Sequence, residues 1–279
     1  MTTRADAIAD AIIQLKRAGV PSAERDARLL YRWAAGLTGA GLQAGLTDSP
    51  KLDELDRFNQ AILERTARQP VSHITGTREF WGRLFKVTPD VLDPRPETEV
   101  LVAEALRTHP KRILDLGTGS GCILISLLAD LPDASGIGLD ISRSALEVAA
   151  ENATRLGVSP RATFVQGDWS EMPTGPFDLV VSNPPYLSEA EMHDLQPELH
   201  HEPRKALSPG NDGLDAYRAL VGPSIGALKP GGSLMLEIGS SQADSVQIII
   251  EKSGLRDLRI VRDFDGRDRV VVARKATNS

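Results

Sequence analysis

The run Val181-Ser182-Asn183-Pro184-Pro185-Tyr186 follows the apolar segment Phe177-Asp178-Leu179-Val180 and is expected to leave the tip of a strand. It offers a side-chain amide, a backbone carbonyl whose conformation the next proline restricts, and an aromatic face. Two acceptors beside a flat wall suit the holding of a planar –NH2 group. An amide nitrogen is a poor nucleophile, because its lone pair is delocalised into the carbonyl. Asn183 Oδ1 and the Pro184 carbonyl, by accepting both N–H bonds, would fix the nitrogen and leave one face open to an electrophile. Tyr186 would pack on the planar group. Orientation of this kind supplies roughly 7–11 kcal/mol at the limit. Asn-Pro-Pro is also a common loop-forming string, so the reading needs support elsewhere in the chain.

That support lies upstream. Ile113-Leu114-Asp115-Leu116 reads as a strand, and Gly117-Thr118-Gly119-Ser120-Gly121 turns from it into a helix. Glycines let backbone approach a ligand and take positive φ. A nicotinamide fingerprint needs a third glycine where Cys122 stands, so that cofactor fits poorly. The spacing resembles the loop of S-adenosylmethionine-dependent methyltransferases. The next strand ends at Asp140, 19 residues after Gly121, where a carboxylate can accept both ribose hydroxyls across the crevice. Gly167-Asp168-Trp169 ends the third strand and could bracket an adenine. Each piece has a plainer reading: a strand-to-helix turn, an N-cap at Asp140, a core tryptophan at Trp169. Their order and spacing together favour a nucleoside cofactor, and with Asn183 they point to methyl transfer onto an amide or amino nitrogen.

The elements that must carry these residues follow from hydrophobic period. The expected strands are Arg112–Leu116, Gly136–Leu139, Ala162–Val165, Phe177–Val181 and Ser233–Ile238, with helices Cys122–Asp130, Arg143–Leu156 and Leu214–Leu228 between them. This alternation predicts a doubly wound, mostly parallel α/β sheet. Leu258–Val261 and Arg269–Ala273 are joined by Asp265-Gly266-Arg267-Asp268, with no room for a helix, so the seven-stranded sheet should end in an antiparallel edge strand. Ahead of it, residues 1–72 read as a small all-helical domain. Ala7, Ile12, Ile13 and Leu15 stripe its first helix. Ser22 is the expected N-cap of a second, which carries Ala27, Leu29, Leu30 and Trp33 and closes at Gly36. Ser49-Pro50 should start a third, with Leu52, Leu55, Phe58 and Ile62. Residues 73–95 form a β-hairpin linker around Glu79–Val87, and 96–279 the sheet domain.

Composition narrows the function. With 41% hydrophobic and 25% charged residues the chain is expected to be globular. A net charge of −6, and 10 basic against 9 acidic residues over 1–75, argue against a duplex-gripping protein. The single cysteine, Cys122, excludes an internal disulfide and fits a reducing, cytoplasmic setting. It is read as a small packed residue. No stretch approaches the ~20 apolar residues of a membrane span. His193, His200 and His201 lack the spacing of a metal site, so no metal is expected. The stretch Glu198–Pro203 follows the Asn183 loop and is expected to form a flexible cover.

The chain resembles the bacterial release factor glutamine methyltransferases. The resemblance runs through Gln69–Gly76, Pro94–Glu99, Asp115–Gly121, the Asn183–Tyr186 tetrapeptide, Gly213-Leu214-Asp215, Leu228–Gly232, Glu237-Ile238-Gly239 and Gly266–Arg269. His73 and Asp93 depart from residues common in the family. The resemblance implies N5-methylation of the glutamine in the Gly-Gly-Gln motif of peptide chain release factors. It implies S-adenosyl-L-methionine as donor and S-adenosyl-L-homocysteine as product. Gly117, Thr118, Gly119, Ser120, Gly121, Asp140, Trp169 and Asn183 would contact the donor. Asn183, Pro184, Pro185 and Tyr186 would hold the glutamine, with Asn183, Pro184 and Tyr186 catalytic. The helical domain would help dock the release factor, with the chain monomeric and no nucleic acid or membrane involved. The rival is an N6-adenine methyltransferase of DNA or RNA, whose exocyclic amine is equally planar. A scaffold that has lost catalysis is disfavoured by the intact glycine loop, Asp140 and tetrapeptide.

Overall fold

The computed structural model describes residues 2–277, and these divide into two compact units, one of residues up to 77 with 196–201, the other of residues 78–195 with those from 202 onward. The first contains α1 (Arg4–Arg17), α2 (Ala23–Ala35), α3 (Gly39–Ala44), α4 (Leu52–Thr66) and α5 (Val71–Thr75). Thr3 caps α1 reciprocally with Asp6: the Asp6 N–H donates to Thr3 Oγ1 at 3.1 Å, and the Thr3 N–H to Asp6 Oδ2 at 2.8 Å. The helices close over Ile8, Leu15, Leu30, Tyr31, Phe58 and Ile62, with the Tyr31 and Phe58 rings edge-on at 4.8 Å.

Four local expectations change here. Ile13 stands 49% exposed, because the buried stripe of α1 is Ile8, Ala11 and Leu15. Leu29 and Trp33 are likewise on the outer side of α2, while Tyr31 and Ala34 are buried. Ser22 occupies the N-cap position of α2, but its hydroxyl donates to the buried Asp26 Oδ2 at 3.0 Å and caps no N–H. Pro50 lies ahead of α4, not in its first turn. The segment before it is drawn off, since the Arg4 and Ala5 N–H groups donate to the Asp48 and Leu46 carbonyls.

The chain then passes through β1 (Thr77–Phe80), β2 (Arg83–Lys86) and α6 (Glu99–Leu106), the last entered by a 3-10 turn at Pro96–Thr98. There follow β3 (Arg112–Leu116), α7 (Cys122–Asp130), β4 (Ser135–Asp140), α8 (Arg143–Arg155), β5 (Ala162–Gln166), β6 (Phe177–Ser182) and α9 (Arg204–Leu207). The last elements are α10 (Asp215–Ala227), β7 (Leu228–Glu237), α11 (Ala243–Lys252), β8 (Arg256–Arg262) and β9 (Asp268–Arg274). β1 and β2 pair with each other, and the other seven strands form one sheet in the order β5-β4-β3-β6-β7-β9-β8. All neighbours are parallel as far as β7. β9 then runs antiparallel between β7 and β8.

Side-chain alternation builds a core on each face of this sheet. Ile113, Leu179, Val181 and Met235 face α6 and α7, and Leu114, Val180, Leu234 and Val271 face α10 and α11. The strand order reverses beside β3, so its tip lies at the crevice where such sheets bind ligands. Among the described residues no helix is long and apolar enough to cross a membrane.

Candidate active site

Strand register brings the sequence-predicted residues to one edge. Leu116 pairs with Leu139 on one side and with Ser182 on the other. The residues that follow these three, Gly117, Asp140 and Asn183, therefore leave adjacent parallel strand tips, about 5 Å from one neighbour to the next. Ser182 reinforces the junction, its hydroxyl donating to the Leu116 carbonyl at 2.6 Å.

The glycine loop is shaped by its own backbone. Gly117, Gly119 and Gly121 take φ of 69°, 54° and 79°, in the left-handed region where a side chain is strained. A Cβ on Gly117 or Gly119 would meet nothing within 4 Å, so this stretch presents bare backbone to open space. Thr118 Oγ1 donates to the buried Asp115 Oδ2 at 2.7 Å, and Asn152 Nδ2 holds the Ser120 carbonyl at 3.0 Å. Asp140 Oδ2 accepts the Gly119 N–H and Oδ1 the Ser142 N–H, each at 2.9 Å. The cap of α8 is therefore Ser142, whose hydroxyl accepts from the Ala145 N–H. Each Asp140 oxygen keeps a second lone pair for a ligand. Burial raises the Asp140 carboxyl, opposed by those backbone N–H groups. Trp169 sits in the turn after β5 and packs half-buried against the core. Asp168 Oδ1 fixes that turn by accepting the Ser170 N–H at 2.7 Å.

The amide loop is held from behind. The Tyr186 and Leu187 N–H groups donate to the Leu207 carbonyl at 3.2 and 3.0 Å, and Gln242 Nε2 donates to the Tyr186 carbonyl at 2.9 Å. Gly213 must lack a side chain, since a Cβ there would lie 2.4 Å from that carbonyl. Burial pushes the Tyr186 phenol up to about 12, so it stays protonated. Asn183 Nδ2 donates to Thr98 Oγ1 at 3.1 Å. Among the described residues, neither Asn183 Oδ1 nor the Pro184 carbonyl takes a hydrogen bond from the protein. Both predicted acceptors are thus left with their lone pairs available.

Two residues of the site had entered the sequence reading only as members of longer motifs. Thr98 and Glu237 are each 1% exposed. Burial is the main cause that raises Glu237 to about 7; the Thr98 hydroxyl, Arg269 and Arg95 oppose it, and Glu97 adds to it. Asp115 is raised to about 7 by burial as well, against the Thr118 hydroxyl. Asp115 Oδ1 and Glu237 Oε2 are buried with no hydrogen-bond partner. The available signal was one acid inside the otherwise apolar run Leu234-Met235-Leu236-Glu237-Ile238.

Cys122 packs against the core, and burial pushes its thiol up to about 12, which makes it a poor nucleophile. Among the described residues no cluster of three His, Cys, Asp or Glu could hold a metal. Glu198, expected in a flexible cover, is instead anchored within the helical unit. Its carboxylate accepts from Arg65 Nη2 and Arg68 Nε at 2.9 Å each.

Residues 108–253 match the family model of a methyltransferase domain, which sets the class of the sheet unit. Its fold recurs in a crystal structure of a methyltransferase from Pyrococcus furiosus, with a TM-score of 0.54 at 16% identity over 78% of this chain and 98% of that one. Residues 6–76 match the model described as the PrmC N-terminal domain. The chain is 48% identical over 271 residues to the release factor glutamine methyltransferase of Cereibacter sphaeroides, covering 97% of this chain and 98% of the relative. To that of Rhodospirillum rubrum it is 44% identical over 266 residues, 94% of this chain and 82% of the relative. It belongs to the release factor glutamine methyltransferase family.

Proposed function

We propose that this enzyme methylates the side-chain amide nitrogen of the glutamine in the Gly-Gly-Gln motif of peptide chain release factors, using S-adenosyl-L-methionine. The observation that carries the reading is the state of Asn183: its NH2 end is engaged by Thr98, while Oδ1 and the neighbouring Pro184 carbonyl await donors. A primary carboxamide brings the two N–H donors that match them. The bare glycine loop and the spare lone pairs of Asp140 fit a long ligand with a vicinal diol, as a nucleoside donor is. When bound, that donor supplies an electrophilic methyl on a cationic sulfur.

The protein's share is placement. Asn183 and Pro184 hold both amide hydrogens, so the nitrogen cannot rotate and one face of it is turned toward the glycine loop. Tyr186 closes the opposite side of the planar group. As the N–CH3 bond forms and the S–CH3 bond breaks, the sulfur keeps the bonding pair, and S-adenosyl-L-homocysteine leaves. The methylated nitrogen is acidic enough to give its extra proton to water, so a dedicated base is unnecessary. Orienting the two reactants is therefore the main contribution of the site.

Asn183→Ala removes one of the two acceptors and is expected to lower kcat roughly a hundredfold or more, by analogy with loss of one preorganised transition-state hydrogen bond. The assay pairs labelled donor with purified release factor and, separately, with DNA, and mass spectrometry locates the added methyl. Near-native turnover of the variant would refute the amide-holding role. Label on adenine instead of glutamine would refute the substrate.

A further inference from the structure

The hairpin that ends the sheet stands on the same rim as the amide loop. Asn183 follows Ser182, the register partner of Leu236, and so lies level with Glu237. Glu237 pairs with Val270, which pairs in turn with Val261. The β8–β9 turn, residues 263–267, therefore rises just beyond the level of Asn183, at the crevice end of the sheet. Only β7 lies between β6 and β9, and β8 is one strand further. The turn thus stands two to three strand spacings from Asn183, roughly 10–15 Å.

Phe264 in this turn is 95% exposed, whereas the other exposed large apolar side chains of the sheet unit, Leu84, Ile141 and Ile248, are 51% exposed each. A lone apolar side chain on a loose tip would mean little. This one is mounted on a fixed tip. Asp263 Oδ1 accepts the Asp265 and Arg267 N–H groups at 3.0 and 2.9 Å, and the Asp263 N–H donates to the Arg267 carbonyl at 2.8 Å. Arg269 Nη2 donates to Asp263 Oδ2 at 3.1 Å, in an ion pair whose side chains are only 9% and 5% exposed. Arg269 Nη1 also donates to the Ile238 carbonyl at 3.2 Å, which ties the turn to the tip of β7. A ring held out on such a base loses little freedom when a partner covers it.

We propose that Phe264 is a docking anchor for the substrate protein, receiving an apolar side chain from the release factor surface beside the Gly-Gly-Gln loop. Position selects this occupant. A folded protein that presents its glutamine at Asn183 brings its adjoining surface over this rim, since 10–15 Å is about three to five residues of extended chain. The inference rests on a release factor being the substrate. Phe264 takes no part in the transfer itself.

The test compares Phe264→Ala and Phe264→Tyr with the native enzyme, on purified release factor and on a capped Gly-Gly-Gln tripeptide, with donor affinity from calorimetry. The tripeptide extends two residues from its glutamine, about 7 Å, and falls short of the turn. Phe264→Ala is expected to raise KM for the release factor roughly tenfold or more, the range for an interface aromatic. Its kcat, donor affinity and tripeptide turnover should stay native. Phe264→Tyr keeps the ring and should return KM to near the native value. A KM within about twofold of native in Phe264→Ala, a loss carried by kcat, or an equal loss on the tripeptide overturns the anchor. Where the tripeptide is not turned over at all, KM and kcat on the release factor decide alone. Sedimentation supplies the rival occupant: self-association that Phe264→Ala abolishes, beside a native KM, would assign the ring to a second copy of this chain and overturn the proposal. Failure of the native enzyme to methylate release factor strikes the proposed function, whereas native methylation that Phe264→Ala leaves unaltered strikes only this inference.

Discussion

In the helical unit the Asp26 carboxylate, 1% exposed, meets Arg65 at 3.0 Å, and Glu198 is shared between Arg65 and Arg68. At the strand tips of the sheet unit, Asp115 and Glu237 are buried as deeply, and neither forms an ion pair among the described residues. The first region neutralises its buried charge; the second keeps acids whose charged form burial opposes. Buried ions without a counter-charge are costly, so proteins tolerate them chiefly where they serve a site. The contrast separates buried acids that are ion-paired from buried acids that are not.

The largest effect should come from unpairing the helical unit. Arg65→Met leaves Asp26 and Glu198 facing an apolar side chain, and breaking such a buried pair costs about 3–5 kcal/mol. Denaturant unfolding followed on that unit would measure it, and a loss below about 1 kcal/mol would place the cluster with ordinary surface pairs.

Next comes the pH dependence, where the two regions should slope in opposite directions. Asp115 and Glu237 titrate near 3.8 and 4.5 when unfolded but at about 7 in the native protein. The native state therefore binds more protons between those values, and stability present below pH 4 falls as pH rises to 7. Asp115→Asn with Glu237→Gln should flatten that fall in melting temperature. For Glu198, burial raises the carboxyl but Arg68 and Arg65 outweigh it and hold it at about 2, against an ordinary 4.5. Its contribution is present above pH 4.5 and is lost as pH falls toward 2. A Glu198→Gln variant that kept the native acid limb would contradict the contrast.

The smallest expected effect sharpens the ligand side. Asp140→Ala should weaken donor binding by ~1.5–3 kcal/mol, the worth of a hydrogen bond to a charged group. An unchanged dissociation constant in calorimetry would place the ribose elsewhere.

Much of the sheet unit is legible because its signals are local. Arg112–Leu116 and Cys122–Asp130 appear with the boundaries their hydrophobic runs imply, and the glycine loop and Asn183 stand at strand tips because each directly follows such a run. β7 is less legible. It begins at Leu228, five residues before the expected Ser233. Lys229-Pro230-Gly231-Gly232 reads as a turn, yet it continues the strand through an irregular register, with the Gly231 N–H donating to the Lys275 carbonyl. Helix faces were read one step off in α1 because Ile13 is as apolar as the residues that are buried. The couplings that matter most were out of reach. Asn183 meets Thr98 across 85 positions and Arg65 meets Glu198 across 133, and no local period encodes such pairs.

The anchoring of Glu198 also bears on how members of this family can be recombined. Residues 196–201 belong physically to the helical unit but are encoded inside the stretch that otherwise makes the sheet unit. A genetic crossover after codon 77 would join one parent's Arg65 and Arg68 to the other parent's residue 198. Chimeras should therefore express well only when both parents carry an acid there, or when the short internal segment is transplanted together with the N-terminal block.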